Sequence, residues 1–354
     1  MRKLMEQKLL NAMAAPLLAW YDENKRTLPW RGTKDPYRVW VSEIMLQQTR
    51  VAAVIPYYAR WMEALPTVEA LAAVEEEKLM KLWQGLGYYS RARNLQKAAR
   101  VIVEQHGGRF PDTREQLVKL PGIGEYTAGA VASIAFGQAV PAVDGNVLRV
   151  AARVANIAED ILDTKVKKKF QTRMEEAVPN QRPGEYNQAL MDLGATVCLP
   201  NGQPLCDSCP LKEICEAKRL GIQTELPLRT KKTKRRAEEM TVYLLLRGDR
   251  IALRKRPESG LLAGLWEFPH VPGTLGEEGV ATPLTEWGLN PVDWKKKLSA
   301  KHIFTHVEWH MTGYVAQVAG DCPDFIWVDR RELEQLAVPS AFARFLEEAR
   351  ELLA

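Results

Sequence analysis

A long apolar run is missing from this chain. The most apolar stretch, Ala128 to Val143, is broken by Gly129, Gly137, Gln138 and Pro141, so no segment reads as a membrane span. The N-terminal MRKLMEQKLLNAMAAPLLAW also lacks the uninterrupted core of a signal peptide. Glu6 and Lys8 interrupt it, and the segment reads as an amphipathic helix. Cysteine is scarce and unevenly placed: of 5 in the chain, all but Cys322 lie between Cys198 and Cys215. An odd count crowded into one segment argues against a secreted disulfide scaffold. It points instead to a metal or cluster site in a reducing compartment, with no membrane partner.

Excess negative charge is absent too. Lys and Arg number 49 against 44 Asp and Glu, a net charge of +5, which leans mildly towards a polyanionic partner. The basic residues concentrate in SRARNLQKAAR (Arg91, Arg93, Arg100) and in RTKKTKRR (Arg229 to Arg236). A length of 354 residues and 46% hydrophobic content fit a globular chain of two domains or one large one.

The hydrophobic period changes once along the chain. Up to residue 219 apolar positions recur at three and four, as in Tyr37, Trp40, Val41, Ile44 and Val51, with turns at LPT, GGRFPD, LPG and RPG. Residues 220–237 are polar and basic with no apolar period, and read as a linker. From 238 to 354, TVYLLL and RIALRKRP read as two strands around Gly248-Asp249. FTHVEWHMTGYVAQV and FIWVD read as further strands, and RRELEQLAVPSAFARFLEEARELLA as a closing helix. The expected fold is a multidomain one, an all-α domain followed by a smaller α+β domain.

Cys198, Cys206, Cys209 and Cys215 are spaced C-x7-C-x2-C-x5-C. Four thiolates this close can enclose zinc or a [4Fe–4S] cluster, and the spacing leaves that choice open. Cys322 has no partner in sequence and reads as a structural thiol. In LPGIGEYTAGA, Gly122 and Gly124 permit positive φ and close backbone approach ahead of a helix whose first amides can hold a phosphate oxygen. Asp144, before Gly145-Asn146-Val147, has the place of a helix N-cap. Glu43 falls at the edge of an apolar stripe beside Val39, Leu46 and Gln47. Buried in a closed pocket, it would hold its proton and serve as a general acid.

These motifs resemble the MutY-type adenine DNA glycosylases of the helix-hairpin-helix glycosylase superfamily. The resemblance runs through LPWR, VSEIMLQQTRV, GLGYYSRARNL, LPGIGEYTAGA, AVDGNV and the cysteine cluster, then GLLAGLWEFP and FTH. It implies base excision repair on double-stranded DNA, with release of adenine mispaired with 8-oxoguanine or guanine. It also implies one [4Fe–4S] cluster on the four cysteines. The family's usual first gap is six residues where this chain has seven, which puts the DNA contacts of that loop in question.

By the same resemblance, Glu43 protonates adenine, ionised Asp144 supports the sugar cation, and Tyr126 and Asn146 lie beside the sugar. Tyr126 occupies the place where lyase-active relatives carry a Schiff-base lysine, so a monofunctional enzyme is implied. Trp30, Arg31 and Gln188 match the base pocket, and Gln48 and Tyr88 match residues that wedge into the duplex. The second domain resembles the Nudix fold, but GTLGEEGVATPLTEWGLNP lacks the REUxEExGU carboxylate set, so no pyrophosphatase activity is expected. The resemblance makes this domain a reader of 8-oxoguanine, with Phe304, Thr305 and His306 at its tip. The family often carries serine where Thr305 stands, and the hydroxyl is kept.

A monomer is expected, cytoplasmic and nucleoid-associated if the source is bacterial. The competing classes are a bifunctional glycosylase/lyase, an inert iron–sulfur DNA-binding module and a Nudix hydrolase. They are opposed respectively by Tyr126, by the Glu43 and Asp144 pair, and by the missing Nudix carboxylates.

Overall fold

The computed structural model describes residues 2–230 and 235–354, so residues 231–234 of the expected linker lie outside the described residues. Backbone contacts divide the chain into two compact units, residues 2–73 with 93–230 and residues 74–92 with 235–354. The segment 74–92, which sequence reading leaves in the helical domain, joins the second unit. Lys81 and Gln84 there donate to the carbonyls of Leu336 at 3.1 Å and Val338 at 2.6 Å.

The first unit is helical. TKDPYRVW shows how one helix starts: Asp35 accepts from the Tyr37 amide at 2.9 Å and Pro36 takes the first helical position. The helix Pro36–Leu46 then buries Tyr37, Trp40, Val41 and Ile44, with Trp40 edge-on to Phe110 at 5.5 Å. The small-residue helix Glu125–Phe136 packs against it and against Pro183–Thr196. Leu10, Leu17, Phe170, Tyr186 and Leu190 form a core beside the helix Gly145–Val154. Among the described residues, no helix is long and apolar enough to cross a membrane.

The second unit is built on a seven-stranded sheet: β1 (Arg236–Arg247), β2 (Arg250–Lys255), β3 (Trp266–Glu267), β4 (His270–Pro272), β5 (Leu289–Ile303), β6 (Val307–Gly320) and β7 (Ile326–Val328). The main order is β3-β2-β1-β6-β5, with β4 paired to β1 and β7 to β2. β1 and β6 are parallel, registered from Arg236↔Val307 to Leu246↔Gln317. Alternate residues of β1 feed two cores. Val242, Leu244 and Leu246 face Phe342 and Phe345, whereas Tyr243 and Leu245 face Leu284 and Tyr314. Burial on both sides explains why TVYLLL reads as a continuous apolar run.

The short strands β3 and β4 are not read from the sequence, and two larger departures stand beside them. β5 was not expected, because LNPVDWKKKLSAKHI is an edge strand whose lysines hide its alternation, and edge lysines discourage further strand pairing. The closing helix is broken into Arg330–Gln335, a 3-10 turn Ser340–Phe342 and Ala343–Leu352. Pro339 causes the break, since it has no amide and disfavours a helical Val338. In GTLGEEGVATPLTEWGLNP only Thr282–Glu286 is helical.

Candidate active site

Two carboxylates of the first unit, on different helices, feel one another's charge. Glu43 sits inside Pro36–Leu46 and is only 6% exposed. Its Oε2 accepts the hydroxyl hydrogen of Tyr126, from the first turn of Glu125–Phe136. Burial raises the Glu43 pKa, the Tyr126 hydrogen bond and the charge of Arg31 pull it back, and Asp144 pushes it up again. Burial also lifts the Tyr126 hydroxyl well above its ordinary value, so it stays a donor.

Asp144 caps Gly145–Val154. Its Oδ1 accepts from the amides of Asn146 and Val147, both at 2.8 Å, and Oδ2 accepts from the Asn146 side chain at 2.7 Å. Burial raises this pKa as well, but the three hydrogen bonds favour the carboxylate. Glu43 accepts one such bond and Asp144 three, so hydrogen bonding favours the charged form more at Asp144 than at Glu43. The cap position itself suits a charged carboxylate, because the helix N-terminus favours a negative charge.

Asn146 is itself held. Arg149 Nη2 donates to its Oδ1 at 2.8 Å and to the Gly194 carbonyl at 2.7 Å, and Arg149 Nε donates to the Cys198 carbonyl at 2.8 Å. A Cβ on Gly194 would lie 2.6 Å from the Asn146 Cβ, so only glycine lets the two helices approach this closely.

Arg31 and Gln188 meet at a cavity of about 400 Å³, lined also by Tyr21, Lys25, Arg26 and Ile134. Arg31 Nη2 donates to Asp192 at 3.0 Å and its Nη1 to the Tyr21 hydroxyl at 2.9 Å. Tyr21 in turn donates to Gln188 Oε1 at 2.7 Å. Trp30 is buried, edge-on to Tyr58 at 5.4 Å, and does not line this cavity.

Cys198, Cys206, Cys209 and Cys215 line one cavity with Arg153, Lys212 and Lys218. No disulfide joins them, and Arg153 Nη1 lies 3.2 Å from Cys198 Sγ. Among the described residues they do not close into a set tight enough for a single ion. Arg153, Lys212 and Lys218 on the same cavity can offset the charge of thiolates there.

Residues 41–176 match the helix-hairpin-helix superfamily of base excision DNA repair proteins, and residues 241–348 match the NUDIX domain. The human adenine DNA glycosylase is 37% identical over 95% of this chain and 73% of its own length. That of Buchnera aphidicola is 32% identical over 94% of this chain and 95% of its own. The chain belongs to the adenine DNA glycosylase family. Among solved structures, a thermostable thymine-DNA glycosylase superposes with a TM-score of 0.55 at 28% identity, over 60% of this chain and 98% of its own. Endonuclease III trapped as a covalent intermediate with DNA gives 0.52 at 25% identity, over 61% of this chain and 98% of its own. This chain is a DNA glycosylase of base excision repair, and it binds DNA.

The glycosylase's DNA-facing candidates divide between the units. In the first, Gly122 has φ 73 and Gly124 caps Glu125–Phe136 without a side chain, leaving the first amides open. A Cβ on Gly122 would lie 2.5 Å from the Asn94 Cβ. Gln48 is exposed at φ 58. In the second unit, Tyr88 is 46% exposed at φ 47, whereas its neighbour Tyr89 is buried. Strained backbone of this kind costs about 1–3 kcal/mol per residue and persists at functional positions. The Tyr88 hydroxyl lies 2.6 Å from Thr305 Oγ1, so the expected wedge and the expected reader share a hydrogen bond. Thr305 and His306 are exposed in the turn between β5 and β6, with Phe304 edge-on to Trp309 at 4.8 Å.

Sequence reasoning missed Tyr21, Arg149, Arg153 and Asp192. The last three interrupt the apolar helical runs VLRVAARVA and ALMDLGATV, and a charge within a buried run is the signal that would have found them.

Proposed function

We propose that this glycosylase removes adenine mispaired with 8-oxoguanine or guanine by hydrolysis, without a Schiff-base intermediate. The observation that carries it is the unequal pair of carboxylates: Glu43 buried with one hydrogen bond, Asp144 capped by three. The target nucleotide leaves the duplex before chemistry begins. Glu43, accepting from Tyr126 on Oε2, donates from Oε1 to N7 of adenine. The bond between N9 and the sugar then breaks with its electrons on the base. Asp144 stabilises the cation developing at C1′, as the second carboxylate does in glycoside hydrolysis generally. Water adds to C1′, and its proton restores Glu43.

The resemblance puts Tyr126 where a lyase carries its lysine, and a phenol forms no Schiff base with the sugar. We also assign one [4Fe–4S] cluster to Cys198, Cys206, Cys209 and Cys215. When bound, it ties the loop after Pro183–Thr196 into one body, and the catalytic steps belong to the side chains already named. Thr305 and His306 offer a hydroxyl and an imidazole to the opposite base, with Tyr88 as wedge.

Single-turnover base release from duplexes with adenine opposite 8-oxoguanine, guanine, cytosine or thymine tests this reading. It predicts fastest release opposite 8-oxoguanine, then guanine. Equal release opposite all four bases would remove the reader role, and no adenine release would remove the reading itself.

A further inference from the structure

The side chains at the base pocket form a hydrogen-bond chain with a fixed direction. Asp192, fully buried and with acceptor atoms only, receives Arg26 Nη2 at 2.5 Å and Arg31 Nη2 at 3.0 Å. Arg31 has donors only, and its Nη1 gives to the Tyr21 oxygen at 2.9 Å. The Tyr21 hydrogen must then find another acceptor, and it goes to Gln188 Oε1 at 2.7 Å. Tyr21 is 3% exposed, so its hydroxyl has little solvent to turn to instead.

The consequence falls on the Gln188 amide. Its oxygen is drawn to the Tyr21 side, and Nε2 has no protein partner among the described residues. A reversed amide would set an amino group against the Tyr21 oxygen and leave the buried hydroxyl hydrogen without an acceptor. An amide reads a purine by its order of donor and acceptor. Adenine offers an amino donor at position 6 beside the acceptors N1 and N7. Hypoxanthine offers an oxygen at position 6 beside an N1 donor. An amide oriented for one must turn over for the other.

We propose that Tyr21 is a specificity-determining residue, which locks the Gln188 amide in the orientation that accepts a 6-amino purine and rejects a 6-oxo purine. It is a positioning residue, acting on the base through Gln188, with Arg31 and Asp192 as its anchor. The inference rests on the adenine glycosylase reading and adds to it the origin of base choice.

The test is Tyr21→Phe, which keeps the ring and removes the hydroxyl. Single-turnover release is measured from duplexes carrying deoxyadenosine or deoxyinosine opposite 8-oxoguanine, with wild type alongside. Freed to turn over, Gln188 should slow adenine release and spare or speed hypoxanthine release, so the ratio of the two rates falls at least tenfold. Gln188→Leu, which removes the amide, should lower the ratio to a similar level, and Tyr21→Phe should add little in its background. A parallel loss on both substrates would mean that Tyr21 only supports the fold, and would overturn the inference. So would an unchanged ratio. Failure of wild type to release adenine at all would instead overturn the parent reading.

Discussion

Tyr126 gives its hydroxyl hydrogen to Oε2 of Glu43. On the proposed reading, the residue that the resemblance sets in a lyase's lysine position is engaged with the acid. This leaves Oε1 of Glu43 to carry a transferable proton, and it sets how easily that proton leaves.

Glu43→Gln keeps the shape and the acceptor for Tyr126 but removes the acid. Single-turnover adenine release should fall by about 10²–10⁴-fold, the usual contribution of a positioned proton donor. Duplex affinity, measured by filter binding or anisotropy, should be kept.

Asp144→Asn should separate the two duties of that residue. Asparagine keeps the two cap bonds at Oδ1 but sets an amino group against the Asn146 side chain, so stability should fall by only about 1 kcal/mol. The negative charge opposite C1′ is gone, and base release should be abolished while duplex binding is spared. A large loss of stability instead would assign Asp144 to the cap alone.

The pH profile should carry the signature of a raised carboxyl. Glu43 has a folded pKa above its unfolded one, chiefly through burial. Base release should therefore fall as pH rises through that folded value, and Glu43→Gln should flatten this limb. The stability Glu43 contributes is fully present below the unfolded value and lost as pH rises through the folded one. The melting temperature of Glu43→Gln should thus gain on wild type from pH 4.5 upward. Tyr126→Phe removes a hydrogen bond that lowers the Glu43 pKa, so the falling limb should shift to higher pH.

Arg149→Met removes the donor shared by Asn146, Gly194 and Cys198. Each stranded acceptor costs about 1–3 kcal/mol. Thermal denaturation should show a loss of a few kcal/mol, with lower iron content per chain and slower base release. Thr305→Ala with His306→Ala should act differently, reducing the preference for 8-oxoguanine over guanine with little change opposite guanine.

Much of the site was legible because its residues sit in local motifs. LPGIGEY and AVDGNV each carry their own turn or cap, so the positive φ of Gly122 and the N-cap at Asp144 are read without tertiary information, whereas Tyr126 is singled out only by the family resemblance. Tyr88 and Tyr89 look alike in sequence, and only the folded chain exposes one and buries the other. Tyr21 is illegible for a related reason, and for Asp192 and Arg149 the sequence marks a buried charge without its partner. Their partners lie 167, 161 and 49 residues away in the bonds Tyr21–Gln188, Arg31–Asp192 and Arg149–Cys198, and no local pattern records such pairings. β5 was lost among its lysines, since an edge strand with a wet face has little apolar alternation.

The central claim is hydrolytic release of adenine without a Schiff-base intermediate. Duplexes carrying adenine opposite 8-oxoguanine, or thymine glycol opposite adenine, would be turned over once and each product divided, one half treated with alkali. The account predicts adenine release with strand breaks only after alkali. Thymine glycol release with breaks in the untreated half would contradict it.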